Sequence, residues 1–230
     1  MKPKIVLFDI DGTLLLTGGA GKIAIERAFG EICGKQDVWG GVIPDGKTDP
    51  QIFLEIAQTA LSKNLDPDEL DALSGSYLHW FEHEIRKAEK FRLMPGVAEL
   101  LETLSQQRGI FLGIATGNYE QAAWAKLDRG GLKHYFKFGG FGSDSADRAE
   151  LTCLAAERGR KHAGQDTIPE VFVVGDSVHD VRAAKKIGAV VISVETGSTP
   201  EAVLREETPH YHFQDLCDIS KFMRVLGVVD

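Results

Sequence analysis

The chain has 230 residues, with 26 Lys+Arg against 34 Asp+Glu and a formal net charge of −8. At 43% hydrophobic and 26% charged residues it has the composition of a folded protein, either one generous domain or one domain with an insertion, and not of a disordered chain. The acidic balance argues against a partner nucleic acid, whose phosphates call for many cations, but leaves room for a small anion held by a few local ones. Cys33, Cys153 and Cys217 are far apart and form no metal-binding or CxxC spacing, so they read as reduced thiols of a cytoplasmic protein. No apolar run approaches the roughly 20 residues that cross a bilayer. The run after Lys2 and Lys4 stops at Asp9, too short for a secretory leader. No membrane partner is expected, and the oligomeric state is open between monomer and homodimer.

In chain order, residues 5–8 are a short apolar run that predicts a buried parallel strand. Residues 17–91 then break the strand rhythm. A helix is expected from Pro50 towards Thr59. Asp66-Pro67-Asp68-Glu69 opens another, on which Leu70, Leu73, Tyr77, Phe81 and Ile85 keep helical spacing. Val97, Leu100, Leu101 and Leu104 follow an i, i+3, i+4, i+7 pattern after Pro95-Gly96. Apolar runs at 111–115, 171–174 and 189–194 predict three more strands, with helices at 148–160 and 179–187 and a last strand and helix within 209–230. Strands alternating with helices imply a parallel sheet covered on both faces, an α/β fold of the doubly wound, Rossmann-like kind. The intervening stretch reads as an inserted all-helical segment.

In an open α/β sheet, ligands bind beyond the carboxyl ends of the strands. The first strand ends in Asp9-Ile10-Asp11-Gly12-Thr13, and the third in Gly175-Asp176-Ser177-Val178-His179-Asp180. Each delivers an acidic pair to the same sheet edge, and oxygen-rich pairs of this kind suit a hard cation such as Mg²⁺. Turn chemistry for Asp11-Gly12, and helix capping by Asp176 or Asp180, are the alternative readings. The second strand ends in Thr116-Gly117-Asn118, a hydroxyl followed by backbone N–H groups at a helix start, suited to phosphate oxygens or to ordinary capping.

These three motifs, in this order and strand context, resemble those of the haloacid dehalogenase superfamily over essentially the whole chain. The insertion resembles the helical cap of the subgroup containing phosphoglycolate phosphatase and β-phosphoglucomutase. The resemblance implies a core of residues 1–16 and 92–230 and a cap of residues 17–91. It implies that Asp9 attacks phosphorus and that Asp11 serves as general acid and base. It further implies Mg²⁺ on Asp9, the Asp11 carbonyl and Asp176, with Asp180 in support, and Thr116, Gly117 and Asn118 around the phosphoryl group. The acid at Asp11 favours ester hydrolysis or transfer to an alcohol over dehalogenation. Family members place a Lys about 30 residues after the Thr motif. Here Arg148 stands there, a cation able to bind phosphate bidentately but flatter than an ammonium. Lys126 comes too early for that role. Lys47 and Thr48, in Gly46-Lys47-Thr48-Asp49-Pro50, are the candidates for contact with the substrate's leaving group, against a plain helix start. Tyr77, Trp80 and Phe81 read as cap core, and His79, His83, His210 and His212 as solvated. The expected activity is a Mg²⁺-dependent phosphatase for a small phosphorylated metabolite. A phosphomutase and a non-catalytic binding protein of the same fold are the alternatives.

Overall fold

The computed structural model of the protein describes residues 2–164 and 168–228. In chain order it places β1 (Lys4–Phe8), β2 (Leu15–Leu16), α1 (Ala20–Cys33), α2 (Asp49–Leu61), α3 (Pro67–Lys87), β3 (Arg92–Leu93), α4 (Val97–Ser105), β4 (Ile110–Ala115) and α5 (Glu120–Arg129). There follow a short 3₁₀ turn (Lys133–Tyr135), β5 (Gly139–Gly140), α6 (Arg148–Ala163), β6 (Glu170–Gly175), α7 (Val178–Lys186), β7 (Val190–Val194), α8 (Glu201–Glu206), β8 (Tyr211–Phe213) and α9 (Ile219–Val225).

Six strands form one parallel sheet in the order β5-β4-β1-β6-β7-β8. β1 is buried along its whole length between β4 and β6, which is why it carries no polar face. On one side of the sheet Val6, Phe8 and Ile114 pack against α4, α9 and neighbouring residues; on the other Ile5, Leu7 and Val173 pack against α6 and α7. Phe8 stacks on Phe222 of α9 with ring centroids 6.4 Å apart, tying the last helix to the first strand. The fold is the doubly wound α/β architecture expected from the alternation of strands and helices. Among the described residues no helix is long and apolar enough to cross a membrane.

β2 and β3 pair antiparallel, Leu15 opposite Leu93 and Leu16 opposite Arg92. The chain therefore leaves the core for the helical segment and returns from it along two adjacent strands. Within that segment α1, α2 and α3 enclose an apolar cluster of their own, including Phe29, Phe53, Tyr77 and Phe81. Phe53 packs edge-on against Phe29 and Tyr77, at centroid distances of 6.1 and 5.3 Å. α2 and α3 begin as their sequences indicate, with reciprocal capping boxes at Thr48/Gln51 and Asp66/Glu69 and a proline in the first turn of each.

α1 is a helix that the sequence pattern does not signal. Its N-cap is Gly19 in the left-handed region, with no side-chain cap, and three of its five buried positions are alanines, so both the start signal and the apolar period are faint. Phe53 is fully buried in the small core these helices share. Phe53→Ala is expected to cost about 3–5 kcal/mol, measured as a fall in the midpoint of chemical denaturation.

Candidate active site

The carboxyl ends of β1, β4 and β6 lie side by side because β1 is flanked by the other two in register. Immediately after β1 the chain turns sharply. The N–H groups of Thr13, Leu14 and Leu15 all donate to the Ile10 carbonyl, at 3.3, 2.9 and 3.0 Å. Gly12 has φ +81°, and a Cβ there would stand 2.5 Å from Asp176 Oδ2, so glycine is required on both counts. Thr13 Oγ1 donates to Asp176 Oδ1 at 2.8 Å. The turn thus fixes β6's Asp176 against β1's Asp9.

Asp9, Asp176 and Asp180 are all buried, with one carboxylate oxygen from each within 4.8 Å of the others. Burial, and repulsion within the cluster, raise the proton affinity of Asp9 and Asp176. Asp9 is pushed up to about 6 by burial against the pull of Arg148, and Asp176 goes well above the usual carboxylate range. One cation answers the cluster. Arg148, at the start of α6, is 9% exposed along its side chain and donates Nη2 to Asp9 at 2.7 Å and to Asp180 at 2.6 Å. Burial opposes its charge, but Asp180 and Asp9 outweigh that and hold the guanidinium firmly protonated. Asp180 also closes a capping box at α7, its Oδ2 accepting from the N–H and hydroxyl of Ser177 at 3.1 and 2.7 Å. Capping and participation in the acidic cluster are therefore both true of Asp180. Three buried carboxylates against one guanidinium leave an excess of negative, all-oxygen donors, which fits a hard divalent cation.

Asp11 stands apart from that trio. Its Oδ2 accepts from Lys126 Nζ at 2.5 Å, and the same ammonium donates to Asn118 Oδ1 at 2.8 Å. Thr116 is 1% exposed, and its Oγ1 accepts from the Asn118 N–H at 3.4 Å. The two cations thus divide the acids between them: Arg148 takes Asp9 and Lys126 takes Asp11. The sequence points to Arg148 at the first place but carries no spacing rule that brings Lys126 to the second.

The opposite wall comes from the helical segment, and a cavity of about 810 Å³ lies between the two. It is lined by Asp9, Asp11, Thr116, Gly117, Asn118, Arg148 and Asp176 and, facing them, by Lys47 and Asp49. Two expectations at this wall are modified. The Thr48 hydroxyl is used as the α2 cap and in a 3.4 Å bond to the Ala146 carbonyl, and Thr48 does not line the cavity. Lys47 does line it, but its ammonium is ion-paired with Glu55. Asp49, which by sequence is only part of a helix start, is a buried acid. Its N–H donates to the Gly117 carbonyl at 2.7 Å, its Oδ2 accepts from the Tyr119 N–H at 2.8 Å, and Tyr77 bonds it as well. Burial pushes it up to about 6 while Lys126 pulls the other way. Tyr77 and Phe81 are core residues of the helical segment, as expected, and Tyr77 reaches the cavity too. His79, His83 and His210 are exposed. His212 is not solvated: its side chain is 9% exposed, bonding Ser193 at 2.7 Å and Glu195 at 2.5 Å.

A sequence profile of the haloacid dehalogenase-like hydrolases matches residues 3–188. The chain belongs to this family. It is accordingly an enzyme of the hydrolase class. The chain is 29% identical to a phosphoglycolate phosphatase of Pseudomonas syringae pv. syringae (strain B728a) over 220 residues, covering 93% of this chain and 77% of that one. A pyrophosphatase, PpaX, of Halalkalibacterium halodurans is 25% identical over 229 residues, 99% of each chain. Among solved structures, one described as a predicted phosphatase from Clostridium acetobutylicum superposes with a TM-score of 0.73 at 19% identity, covering 99% of this chain and 100% of that one. It is a likeness of fold.

The raised acids of this haloacid dehalogenase-like hydrolase give its stability an inverted pH dependence. Asp9 and Asp49 titrate near 6 when folded, against the usual carboxylate value of 3.8. Their protonation therefore favours the folded state, a contribution complete below about 3.8 and lost as pH rises through about 6. In EDTA the protein is expected to gain about 1 kcal/mol from each group between pH 7 and pH 5. Denaturation midpoints at the two pH values measure the gain, and Asp49→Asn should remove its own share.

Proposed function

We propose that the chain is a Mg²⁺-dependent phosphatase acting on a small phosphate monoester of the phosphoglycolate kind. We read residues 17–91 as a cap over a core of residues 1–16 and 92–230. The observation that carries the proposal is the division of acids at one sheet edge: a buried Asp9 held by Arg148 beside Asp176, and a separately held Asp11 facing the same cavity.

In this reading Asp9 attacks phosphorus to form an aspartyl phosphate while Asp11 gives a proton to the departing ester oxygen. Water then attacks the phosphoryl group, Asp11 takes its proton, and inorganic phosphate leaves as the Asp9 carboxylate is restored. The carboxylates of Asp9 and Asp176 and the Asp11 carbonyl would hold Mg²⁺, with Asp180 in support, to offset the charge gathered between nucleophile and phosphate. Arg148 adds a fixed positive charge at Asp9, aimed by Asp180, and takes the place of the lysine usual in the family. Thr116 and the neighbouring N–H groups of Gly117 and Asn118 would receive phosphoryl oxygens. The cap wall would exclude bulk water over this edge.

The leaving group would extend towards cations that have no acidic partner. Lys47 is engaged by Glu55, whereas Lys22 and Arg92 line the cavity and take part in no ion pair among the described residues. The Lys22 ammonium lies 5.5 Å from the centroid of the Trp39 ring, also on the cavity wall. An ester whose leaving group carries a carboxylate suits that end better than a neutral one.

Phosphate release from a panel of monoesters with and without Mg²⁺ tests the reading. Turnover is expected to require the metal, to fall to background in Asp9→Asn and to drop about 10²–10⁴-fold in Asp11→Asn. Activity that survives Asp9→Asn overturns it. On the same panel, Lys22→Ala and Arg92→Ala should each raise KM about tenfold for a carboxylate-bearing ester, with KM for p-nitrophenyl phosphate unchanged.

A further inference from the structure

Of the acids that line this sheet edge, Asp11 is the least enclosed. Its side chain is 39% exposed on a turn facing the cavity, and among the described residues its carboxylate is bonded by one group alone, the Lys126 ammonium. Lys126 is the reverse. It projects from the buried face of α5, is 4% exposed, and has its Nζ fixed by two oxygens, Asp11 Oδ2 at 2.5 Å and Asn118 Oδ1 at 2.8 Å. The Phe81 ring of α3 covers it, with its centroid 5.6 Å from Nζ. Burying an ammonium this completely is costly unless its partners are fixed too. The pair therefore transmits the rigidity of α5 to a half-exposed carboxyl group. An oxygen tied at one position leaves the other as the free donor and acceptor.

Resting on the assignment of Asp11 as acid and base, we propose that Lys126 is a positioning residue for proton transfer: it holds Asp11 by Oδ2 so that Oδ1 faces the ester oxygen. In the first half-reaction the bond from Asp9 to phosphorus forms, the bond from phosphorus to the ester oxygen breaks, and the proton on Asp11 Oδ1 passes to that oxygen. In the second, a water oxygen bonds phosphorus and its proton returns to Asp11 Oδ1. The Asp9–phosphorus bond breaks with its electron pair going back to the carboxylate. Lys126 exchanges no proton and touches no reacting atom. It acts through Asp11.

A positioning role is separable from a structural one by the leaving group's need for a proton. p-Nitrophenolate departs as a stable anion, whereas an alkyl ester such as glycerol phosphate requires protonation. In single-turnover mixing with enzyme and Mg²⁺ in excess, Lys126→Met is expected to slow leaving-group release from glycerol phosphate about 10²-fold and from p-nitrophenyl phosphate by no more than about threefold. Lys126→Arg should recover part of the loss on the alkyl ester. Equal slowing of both esters, or of neither, overturns the proposal. Should Lys126→Met fail to fold, Lys126→Gln, which keeps a donor without the charge, carries the same comparison: selective slowing of the alkyl ester supports the proposal and equal rates of loss overturn it. Wild-type enzyme that releases neither leaving group refutes the phosphatase reading itself, a result distinct from failure of the Lys126 assignment.

Discussion

The site is organised by a single electrostatic constraint. Carboxylates withdrawn from water must be answered by charge or by protons, and the Arg148 guanidinium is the protein's answer at the end of β1. It bridges Asp9 and Asp180, which come from different strand ends, and so depends on α6 and β6 being packed against β1 as they are. One guanidinium does not satisfy three buried acids. Burial first, and the remaining charge imbalance after it, raise Asp9 and Asp176 above the ordinary carboxylate range, and the all-oxygen cluster suits a hard cation. The pH dependence of stability and the clustering of oxygen donors are therefore two expressions of one unfavourable charge distribution.

The helical segment is fastened to the core at the same loops. The start of α2 bonds Gly117 and Tyr119 through the backbone and carboxyl of Asp49, and the Thr48 hydroxyl reaches the Ala146 carbonyl. These contacts fall on the residues that follow β4 and on those that precede α6. The segment expected to enclose a substrate is thus held by the very turns that would grip its phosphoryl group. Seating of one wall and shaping of the other are mechanically joined.

Much of the core is legible in the sequence because parallel strands buried on both faces must be continuously apolar. The runs at 5–8, 111–115, 171–174 and 189–194 lie in β1, β4, β6 and β7 to within a residue or two at the ends. α2 and α3 are legible from their capping chemistry. α1 is not, since glycine and alanine carry neither a cap nor a strong period. At the site, residues fixed by strand ends are accessible to reasoning, since the sheet edge itself brings Asp9, Thr116 and Asp176 together. Lys126 and Asp49 are not. Each is defined by what folds over it from another part of the chain, and a lysine in mid-helix or an aspartate before a proline looks like solvent-facing or capping chemistry until that cover is known. Thr48 and Lys47 carry partners that the sequence does not show: Gln51 and the Ala146 carbonyl for the first, and Glu55 for the second, which still lines the cavity.

The paired strands β2 and β3 have an evolutionary consequence. Because the outgoing and returning chain occupy neighbouring rungs, the two ends of the intervening helices are pinned a strand's width apart whatever lies between them. The pairing of β2 with β3 does not itself depend on how many residues lie between them. Residues can be added to or removed from the helices, away from their contacts with the core loops, without moving the two points at which the chain leaves and rejoins the sheet.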